Sequence, residues 1–447
     1  MRLLVAMALA WSLAAGAQTP GATERPAFGP GILDPKFPMK PPEPVARERL
    51  RPEGAAAPAL ERYEAEDYAA AARLGLAALQ AAPQSDEIRD ELRYAVANSL
   101  AWTGRYDRAI DQYRALLGTP YDARARAGIA NVLRWRGRAD LAEPLYQEVL
   151  GADPANEEAR NGLALSAREL RPSLTARVAH SADSQHLTRN ELGLTYSRWN
   201  AERSWRYEFG VHADRNNSPL ADWSARGLYG SAWATRLPLS PRLDLSLYDS
   251  DRVDERLFGT LQVEPIQHRL RVRAGRVNWG RLAFNAAAEG LTARTVGILG
   301  ETDVGLGVLR GRLDGFDISD GNRVVDGELQ LTPGWQPLPL RLVWFGGVYG
   351  RGAEREDPRY WSPRPTYGLA FIGLQRGWYS ERADITASVR RGFGFTDSAR
   401  NSWTVGLNGR YWMSSDLAIG LEAWAVESPR PADYRMHQVA AFVQQLW

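Results

Sequence analysis

The stretch Arg382–Arg390 reads RADITASVR, and its two-residue period decides the fold of the C-terminal half. The apolar positions are Ala383, Ile385, Ala387 and Val389, and the polar positions are Arg382, Asp384, Thr386, Ser388 and Arg390. Because successive side chains of a β-strand point to opposite faces, this stretch has one apolar face and one polar face. It predicts a strand that separates an apolar environment from a polar one.

The same alternation recurs between Ser173 and Trp447, in segments of about 9 to 14 residues separated by turn residues. Clear examples are Leu243/Leu245/Leu247, Leu270/Val272/Ala274 and Leu417/Ile419/Leu421. The segments Leu257–Glu264 and Gly300–Gly315 are ambiguous, so the count lies between 14 and 16 strands. Since single-chain membrane barrels have even strand numbers, the sequence favours 16.

A soluble β-sandwich would have the same alternation, but three features favour a transmembrane β-barrel over 171–447. The segments approach the roughly 9 to 11 residues that cross a bilayer at a tilt. Aromatic residues cluster near segment ends, as in interfacial girdles. The chain ends on alternating apolar residues and Trp447, like the strand that barrel-assembly machinery reads, although Gln445 departs from that pattern. We therefore expect an antiparallel barrel in contact with outer-membrane lipid.

The charged face of these strands predicts the lining of the lumen. Charged side chains facing lipid near the midplane would each cost roughly 2–4 kcal/mol, so they are expected to point inward. The candidate lumen-lining residues are Arg269, Arg271, Arg273, Arg382, Asp384 and Arg390. Two interpretations stay open, a hydrated wall of paired charges and a selective translocation path.

Residues 57–170 have helical spacing and an internal repeat. Asn98–Arg105 recurs as Asn131–Arg138, and a looser copy begins near Tyr68. The predicted repeat-packing residues are Trp102, Gly104, Ala109, Trp135, Gly137 and Ala142. This pattern resembles the tetratricopeptide repeat and predicts about three helix pairs, with a generic helical bundle as the alternative. The resemblance implies a concave surface that binds a periplasmic protein partner.

The first residues predict export. Arg2 precedes an uncharged apolar run, and Ala15-Gly16-Ala17 is a small-x-small cleavage site, so 1–17 is expected to be a signal peptide. A membrane anchor is the alternative, but the run is shorter than the roughly 20 residues that span a bilayer. Residues 18–56 are Pro-rich and predict a disordered linker.

Composition and spacing exclude several kinds of chemistry. The absence of cysteine excludes a lipoprotein signal, disulfides and thiolate metal sites, and a net charge of +2 argues against nucleic-acid binding. The five histidines have no metal-ligand spacing. The acidic group Asp249, Asp251, Asp254 and Glu255 is typical of a solvated turn rather than a glycosidase pair. We therefore expect no enzyme, no cofactor and no metal, with a barrel-rim enzyme as a remote alternative.

The order of signal, helical repeats and barrel resembles the outer-membrane exporters of bacterial exopolysaccharides, such as the outer-membrane component of cellulose synthase and the poly-N-acetylglucosamine porin. Tyr360-Trp361-Ser362-Pro363-Arg364 looks like a segment of the cellulose-type barrel. The chain has fewer repeats than cellulose exporters, as in a shortened relative. The resemblance implies an outer-membrane pore for a polysaccharide chain, with a periplasmic N-terminal domain. An outer-membrane anchor, receptor or assembly scaffold without transport is the alternative.

Overall fold

A computed structural model describes most of the chain from Gly54 to Trp447. The described ranges are 54–81, 85–219, 221–252, 254–279, 290–336, 342–357, 360, 362, 366–380, 382–396, 401–428 and 434–447. The predicted signal peptide and nearly all of the predicted linker lie outside them. No helix in the described part is both long enough and apolar enough to cross a membrane.

The N-terminal part of the described chain is helical. A short 3₁₀ helix at Gly54–Ala56 precedes seven α-helices among the described residues. They are α1 (Ala57–Glu64), α2 (Tyr68–Ala81), α3 (Asp86–Trp102), α4 (Tyr106–Arg114), α5 (Asp122–Trp135), α6 (Ala139–Ala152) and α7 (Glu157–Leu170). Successive helices pack against each other and bury a core rich in alanine.

The predicted repeat-packing residues occupy matching places in α3–α4 and α5–α6. Gly104 and Gly137 follow α3 and α5 with φ of +76° and +75°, a conformation that costs glycine little. Ala109 and Ala142 are fully buried where the helices meet. The rings of Trp102 and Trp135 lie edge to face, with centroids 6.2 Å apart. Glu66 occupies the position of these glycines in the turn after α1, with φ of +58°.

Two tyrosines also occupy equivalent positions of successive repeats, and each lies against a glycine of the next helix. Tyr113 packs on Gly128 and Tyr146 packs on Gly162, so closely that an added Cβ would fall inside 3.0 Å of either ring. Each hydroxyl donates to the asparagine 15 residues before it, with O···O distances of 2.5 Å to Asn98 and 2.6 Å to Asn131. Glycine therefore sets the distance between neighbouring helices.

The C-terminal part forms a closed antiparallel barrel of 16 described strands, as the sequence favours. The strands are β1 (Ser173–Asp183), β2 (Thr188–Trp199), β3 (Trp205–Asn217), β4 (Asp222–Ala234), β5 (Arg242–Ser250), β6 (Leu257–Ile266), β7 (Leu270–Asn278), β8 (Thr292–Asp303), β9 (Gly307–Ile318), β10 (Arg323–Pro333), β11 (Val343–Ala353), β12 (Tyr367–Tyr379), β13 (Ala383–Gly394), β14 (Ser402–Trp412), β15 (Leu417–Ser428) and β16 (Tyr434–Leu446). Each strand pairs with its neighbour in sequence, and β1 pairs with β16 to close the sheet. The two ambiguous segments are now assigned, since Leu257–Glu264 belongs to β6 and 300–315 covers the end of β8, a turn and most of β9.

The strand pattern separates two faces around the whole barrel. On β5, Leu243, Leu245 and Leu247 are 44%, 45% and 51% exposed on the outer face, whereas Asp244 between them is 5% exposed on the inner face. The register carries the inner face from strand to strand, because directly paired residues share a side. Asp244, for example, pairs with Ser231 on β4 and Thr260 on β6.

The barrel has two different ends. We call the end where α7 leads into β1 the helix-side rim, and it carries the turns after the even-numbered strands. The other end is the far rim, and it carries the connections after the odd-numbered strands. The helical domain contacts the helix-side rim.

We expect Gly128→Ala to destabilise the helical domain by about 1–3 kcal/mol, because the new methyl group overpacks against the Tyr113 ring. Thermal unfolding of the full chain, followed by the helical circular dichroism signal, measures the change. Gly151→Ala is the matched control, since no atom lies within 4 Å of its added Cβ, and it should gain up to about 1 kcal/mol. Equal midpoints for the two variants would contradict the packing role.

Candidate functional site

The inner wall of the barrel holds four of the six predicted lumen residues. Arg271, Arg273, Asp384 and Arg390 lie on strands at register positions of the inner face. Arg273 pairs with Asp314 at 2.7 Å, and Arg390 pairs with Glu328 at 3.4 Å. Asp384 is the register partner of Arg410.

The other two predicted lumen residues lie at the helix-side rim. Arg269 precedes β7 and binds Asp107 of α4, with an N···O distance of 2.7 Å. Arg382 lies in the turn before β13 and is exposed. Alternation places both on the inward side of the pattern, but each stands beyond the first paired residue of its strand. The alternation does not show where a strand ends, so the sequence could not place Arg269 and Arg382 in the turns.

The acidic partners of the inner arginines were not singled out from the sequence. Asp314 on β9 binds Arg273 and Arg312, and Asp326 on β10 binds Arg312 and Arg351. This chain of ion pairs runs along the wall from β7 to β11. The alternation already contained a signal, because each aspartate follows an outward apolar residue, Leu313 or Val325. The sequence could not show which arginine each carboxylate meets.

Aromatic rings form a second part of the inner wall, and several lie against glycines of the neighbouring strand. Tyr229 packs on Gly210, Phe345 on Gly373 and Phe442 on Gly420, each closely enough that an added Cβ would fall inside 3.0 Å of the ring. The glycines leave room for the rings to lie along the wall.

An apolar cluster lies on the inner face at the far rim. Trp279 is fully buried and meets Phe316 and Tyr360, with ring centroids 4.9 and 5.6 Å away. The Tyr360 hydroxyl accepts from Asn322 at 2.9 Å and donates to Asp320 at 3.0 Å. Tyr360 and Ser362 are the described residues of the motif 360–364, whose other residues lie outside the described ranges. Tyr360 thus anchors the β11–β12 connection to the inner wall.

Ion pairs attach the helical domain to the helix-side rim. Arg105 binds Asp303 at the end of β8 with N···O distances of 2.5 and 3.0 Å, and the two side chains are 8% and 9% exposed. Arg138 binds Asp140 at 2.8 Å and also donates to the carbonyl of Thr235 after β4, at 3.1 Å. The contacts of Arg105 with Asp303 and of Arg138 with Thr235 join positions that are 198 and 97 residues apart in sequence.

The docking residues follow the repeat. Arg105 and Arg138 are equivalent positions of successive repeats, each directly after its turn glycine, and Asp107 and Asp140 are equivalent in the same way. Asp107 bridges Arg136 and Arg269, at 2.8 and 2.7 Å. Successive repeats therefore meet the β4–β5, β6–β7 and β8–β9 turns. The repeat shows that Arg105 and Arg138 match, but nothing in the sequence places them against the barrel.

The end of the helical domain lies beside the seam of the barrel, where β1 pairs with β16. Leu170 is fully buried against Ala139 and Trp199. Arg171 binds Asp416 in the β14–β15 turn at 2.7 Å and donates to the Trp447 carbonyl at 2.9 Å. The Trp447 amide donates to the Pro172 carbonyl at 3.1 Å. The junction between the two domains thus also holds the C-terminus in place.

His268, in the β6–β7 turn, is a neutral histidine within this interface. Burial is the main cause that lowers its pKa to about 3, and the positive charges of nearby arginines act in the same direction. The charged groups that act on the ring are Arg136, Arg138, Arg271 and Asp107, of which Asp107 alone opposes the shift. The docked position therefore favours the uncharged ring.

The sequence matches no protein-family model, and no curated protein matches it significantly. Several solved structures resemble this chain at low sequence identity. A bacterial polysaccharide outer membrane secretin is 12% identical with a TM-score of 0.48, and the match covers 62% of this chain and 99% of that one. CdiB from Acinetobacter baumannii is 10% identical with a TM-score of 0.36, covering 61% and 60%. OccK11 from Pseudomonas aeruginosa is 10% identical with a TM-score of 0.33, covering 62% and 96%. These likenesses concern the fold alone.

Within the described ranges, no group of three or more His, Cys, Asp or Glu residues could hold a metal ion. The described residues of the lumen instead offer ion pairs, hydrogen-bonding groups and aromatic rings.

We expect Asp303→Asn to loosen the helical domain from the barrel by about 3–5 kcal/mol, because it leaves the buried Arg105 guanidinium without its counter-charge. Hydrogen exchange at the amides of 100–110 in the full chain should become faster. Asp86→Asn is the matched control, since its ion pair with Arg89 is exposed and contributes little. Unchanged exchange in Asp303→Asn would contradict the docking role.

Acidification should weaken the same interface through His268. The pKa of the docked ring lies near 3 and that of a free histidine near 6.5, so this contribution is intact above pH 6.5 and falls as the pH drops toward 3. At pH 5.5 the loss is about 1 kcal/mol. The midpoint of the helical thermal transition at pH 7.5 and 5.5 measures it. His268→Asn, which tolerates the φ of +62°, should reduce the pH dependence; an equal dependence in the variant would refute the assignment.

Proposed function

We propose that this chain is an outer-membrane channel for an extracellular polysaccharide, with its helical repeats on the periplasmic rim. The observation that carries the proposal is the inner wall, which combines aromatic rings with amide and hydroxyl groups. The inward amides and hydroxyls include Gln330, Gln375, Gln438, Thr386 and Thr404. Aromatic faces fit the C–H faces of sugars, and amides donate to and accept from sugar hydroxyls.

The outer surface supports insertion into a bilayer. Exposed leucine, valine and isoleucine side chains occur on the outer face of neighbouring strands, such as Leu228, Leu245, Val296, Ile298 and Leu313. The closed hydrogen-bonded sheet has no free edge, which is the condition for a β-structure in lipid. With the predicted export signal, these features fit the outer membrane. On this proposal β16 and Trp447 are also the segment that barrel-assembly machinery reads.

The helical domain would give the channel a periplasmic docking surface. Arg124 lies 5.8 Å from the ring centroids of both Tyr94 and Tyr121, so aromatic and cationic groups share one side of the repeat array. Because the repeats are fixed to the helix-side rim, a protein partner bound to them would stand beside the entrance. Such a partner would deliver the polymer to the lumen.

An anchor or receptor without transport is the second candidate. The observation that favours it is the apolar cluster of Trp279, Phe316 and Tyr360, which occupies the inner face at the far rim. A lumen narrowed there would hinder the passage of a polymer but would not impair a receptor. Electrical conduction separates the two, because a receptor need not conduct.

Deletion of the gene should abolish surface polysaccharide while the polymer is still synthesised, and the wild-type gene should restore it.

Gly210→Ala should lower single-channel conductance in planar bilayers, on the order of tens of per cent, because the new methyl group pushes the Tyr229 ring off the wall into the lumen. The same variant should restore polymer secretion less fully.

Gly230→Ala is the matched control. It lies on the outer face of β4, and its nearest contact with Phe209 would be an ordinary 3.6 Å. Normal polymer secretion in the deletion strain would refute export. A purified wild-type protein without conductance would favour the receptor.

A further inference from the structure

Carboxylates hold the inward arginines of β7–β11. Each of these arginines has a carboxylate oxygen within 4.0 Å, as in a wall of paired charges. The pairs are Arg271–Glu264 at 3.0 Å, Arg273–Asp314 at 2.7 Å, Arg310–Glu301 at 2.6 Å, Arg312–Asp314 at 2.6 Å and Arg351–Asp326 at 3.5 Å. The wall is charged but locally compensated.

The compensation continues on the other side of the lumen. Arg177 lies 3.6 Å from Glu191 and 3.2 Å from Glu422. Arg242 lies 3.3 Å from Glu208 and 2.9 Å from Asp244. Arg410 has Asp384 as its register partner and lies about 6 Å from the ring centroids of Trp412 and Phe442. Positive and negative side chains thus lie side by side on both sides of the lumen.

Burial differs between the two members of two of these pairs, whereas Arg351 and Asp326 are equally buried and Glu301 is more exposed than Arg310. The side chains of Asp314 and Glu264 are 1% and 2% exposed, whereas those of Arg273 and Arg271 are 26% and 43% exposed. In these two pairs the carboxylate therefore lies at the base of the wall, and the arginine extends over it toward the lumen. Removing a carboxylate would leave its arginine in the wall and expose uncompensated positive charge to the contents of the lumen.

We propose that these inner-wall carboxylates determine the charge selectivity of the channel. By cancelling the inward arginines, Glu301, Asp314 and Asp326 keep the lumen close to neutral, so small anions and cations pass about equally. The arginines that a polyanion would meet in the lumen are already paired with carboxylates. This role rests on the proposed channel function, but it concerns selectivity rather than transport itself. Charges in a narrow low-dielectric pore act strongly on permeant ions, so a single uncompensated arginine is enough to change selectivity.

Reversal potentials of the full-length protein in planar bilayers, across a potassium chloride gradient, test the proposal. The wild type should have a chloride-to-potassium permeability ratio within about twofold of unity. Glu301→Gln and Asp314→Asn should each raise the ratio by about twofold or more, because each removes a negative charge that binds an inward arginine. Glu301 is 29% exposed, so its variant keeps the test open if Asp314→Asn does not fold.

Asp249→Asn is the matched control. It removes the same charge from an outward position on β5, where Asp249 pairs with Arg226 outside the lumen. Its permeability ratio should equal that of the wild type. Added oligogalacturonate should occlude the Asp314→Asn channel and not the wild-type channel.

A wild-type channel that already selects chloride about tenfold would overturn the proposal. So would lumen variants with the ratio of Asp249→Asn. A wild-type protein that forms no channel overturns the proposed function, and the selectivity role falls with it. A conducting wild type with unresponsive variants instead leaves transport standing and overturns the selectivity role alone.

Discussion

The pairing of the first strand with the last is the constraint on which the rest of the structure depends. The main-chain bonds between β1 and β16, from Ser173 with Leu446 to Asp183 with Met436, leave the sheet without an edge. In an apolar medium an unpaired amide or carbonyl costs several kcal/mol, so an open sheet could not have this apolar outer face. Closure also divides the side chains into an outer set and an inner set, which gives the protein a lumen.

The junction at the seam connects this constraint to the helical domain. Arg171 reaches both the C-terminal residue and the β14–β15 turn, so the chain enters the barrel where the barrel closes. From there the repeats follow the rim, and Arg105 and Arg138 dock at matching places in successive repeats. The repeat that fixes the spacing of the helices thus also fixes the spacing of their contacts with the barrel. The first repeat has an aspartate where the next two have the docking arginine. The side chain of this residue, Asp67, accepts a hydrogen bond from the Ala70 amide of the helix that follows it, at 3.2 Å.

Much of this could be predicted from residues close together in sequence. The alternation at Leu243–Leu247 indicated the outer face of β5, and the internal repeat indicated the turn glycines and buried alanines of the helical domain. The segments that remained ambiguous lack that regularity. Leu257–Glu264 runs into the irregular pairing of β6 between Val263 and Ile266, and Gly300–Gly315 combines several glycines with a turn. A glycine has no side chain to mark a face, so the period fails there.

The two-residue period of each strand indicates which of its side chains share a face, because that period is local and needs no partner strand. It also determined that charge must lie on the face opposite the leucines. The tertiary structure decided what that charge does. Arg269 binds Asp107 of a helix rather than lining the lumen wall. Arg273 is neutralised by Asp314, which is 41 residues away in sequence. These outcomes depend on strand ends, register and closure, and they follow only when distant segments are brought within a few ångströms of one another.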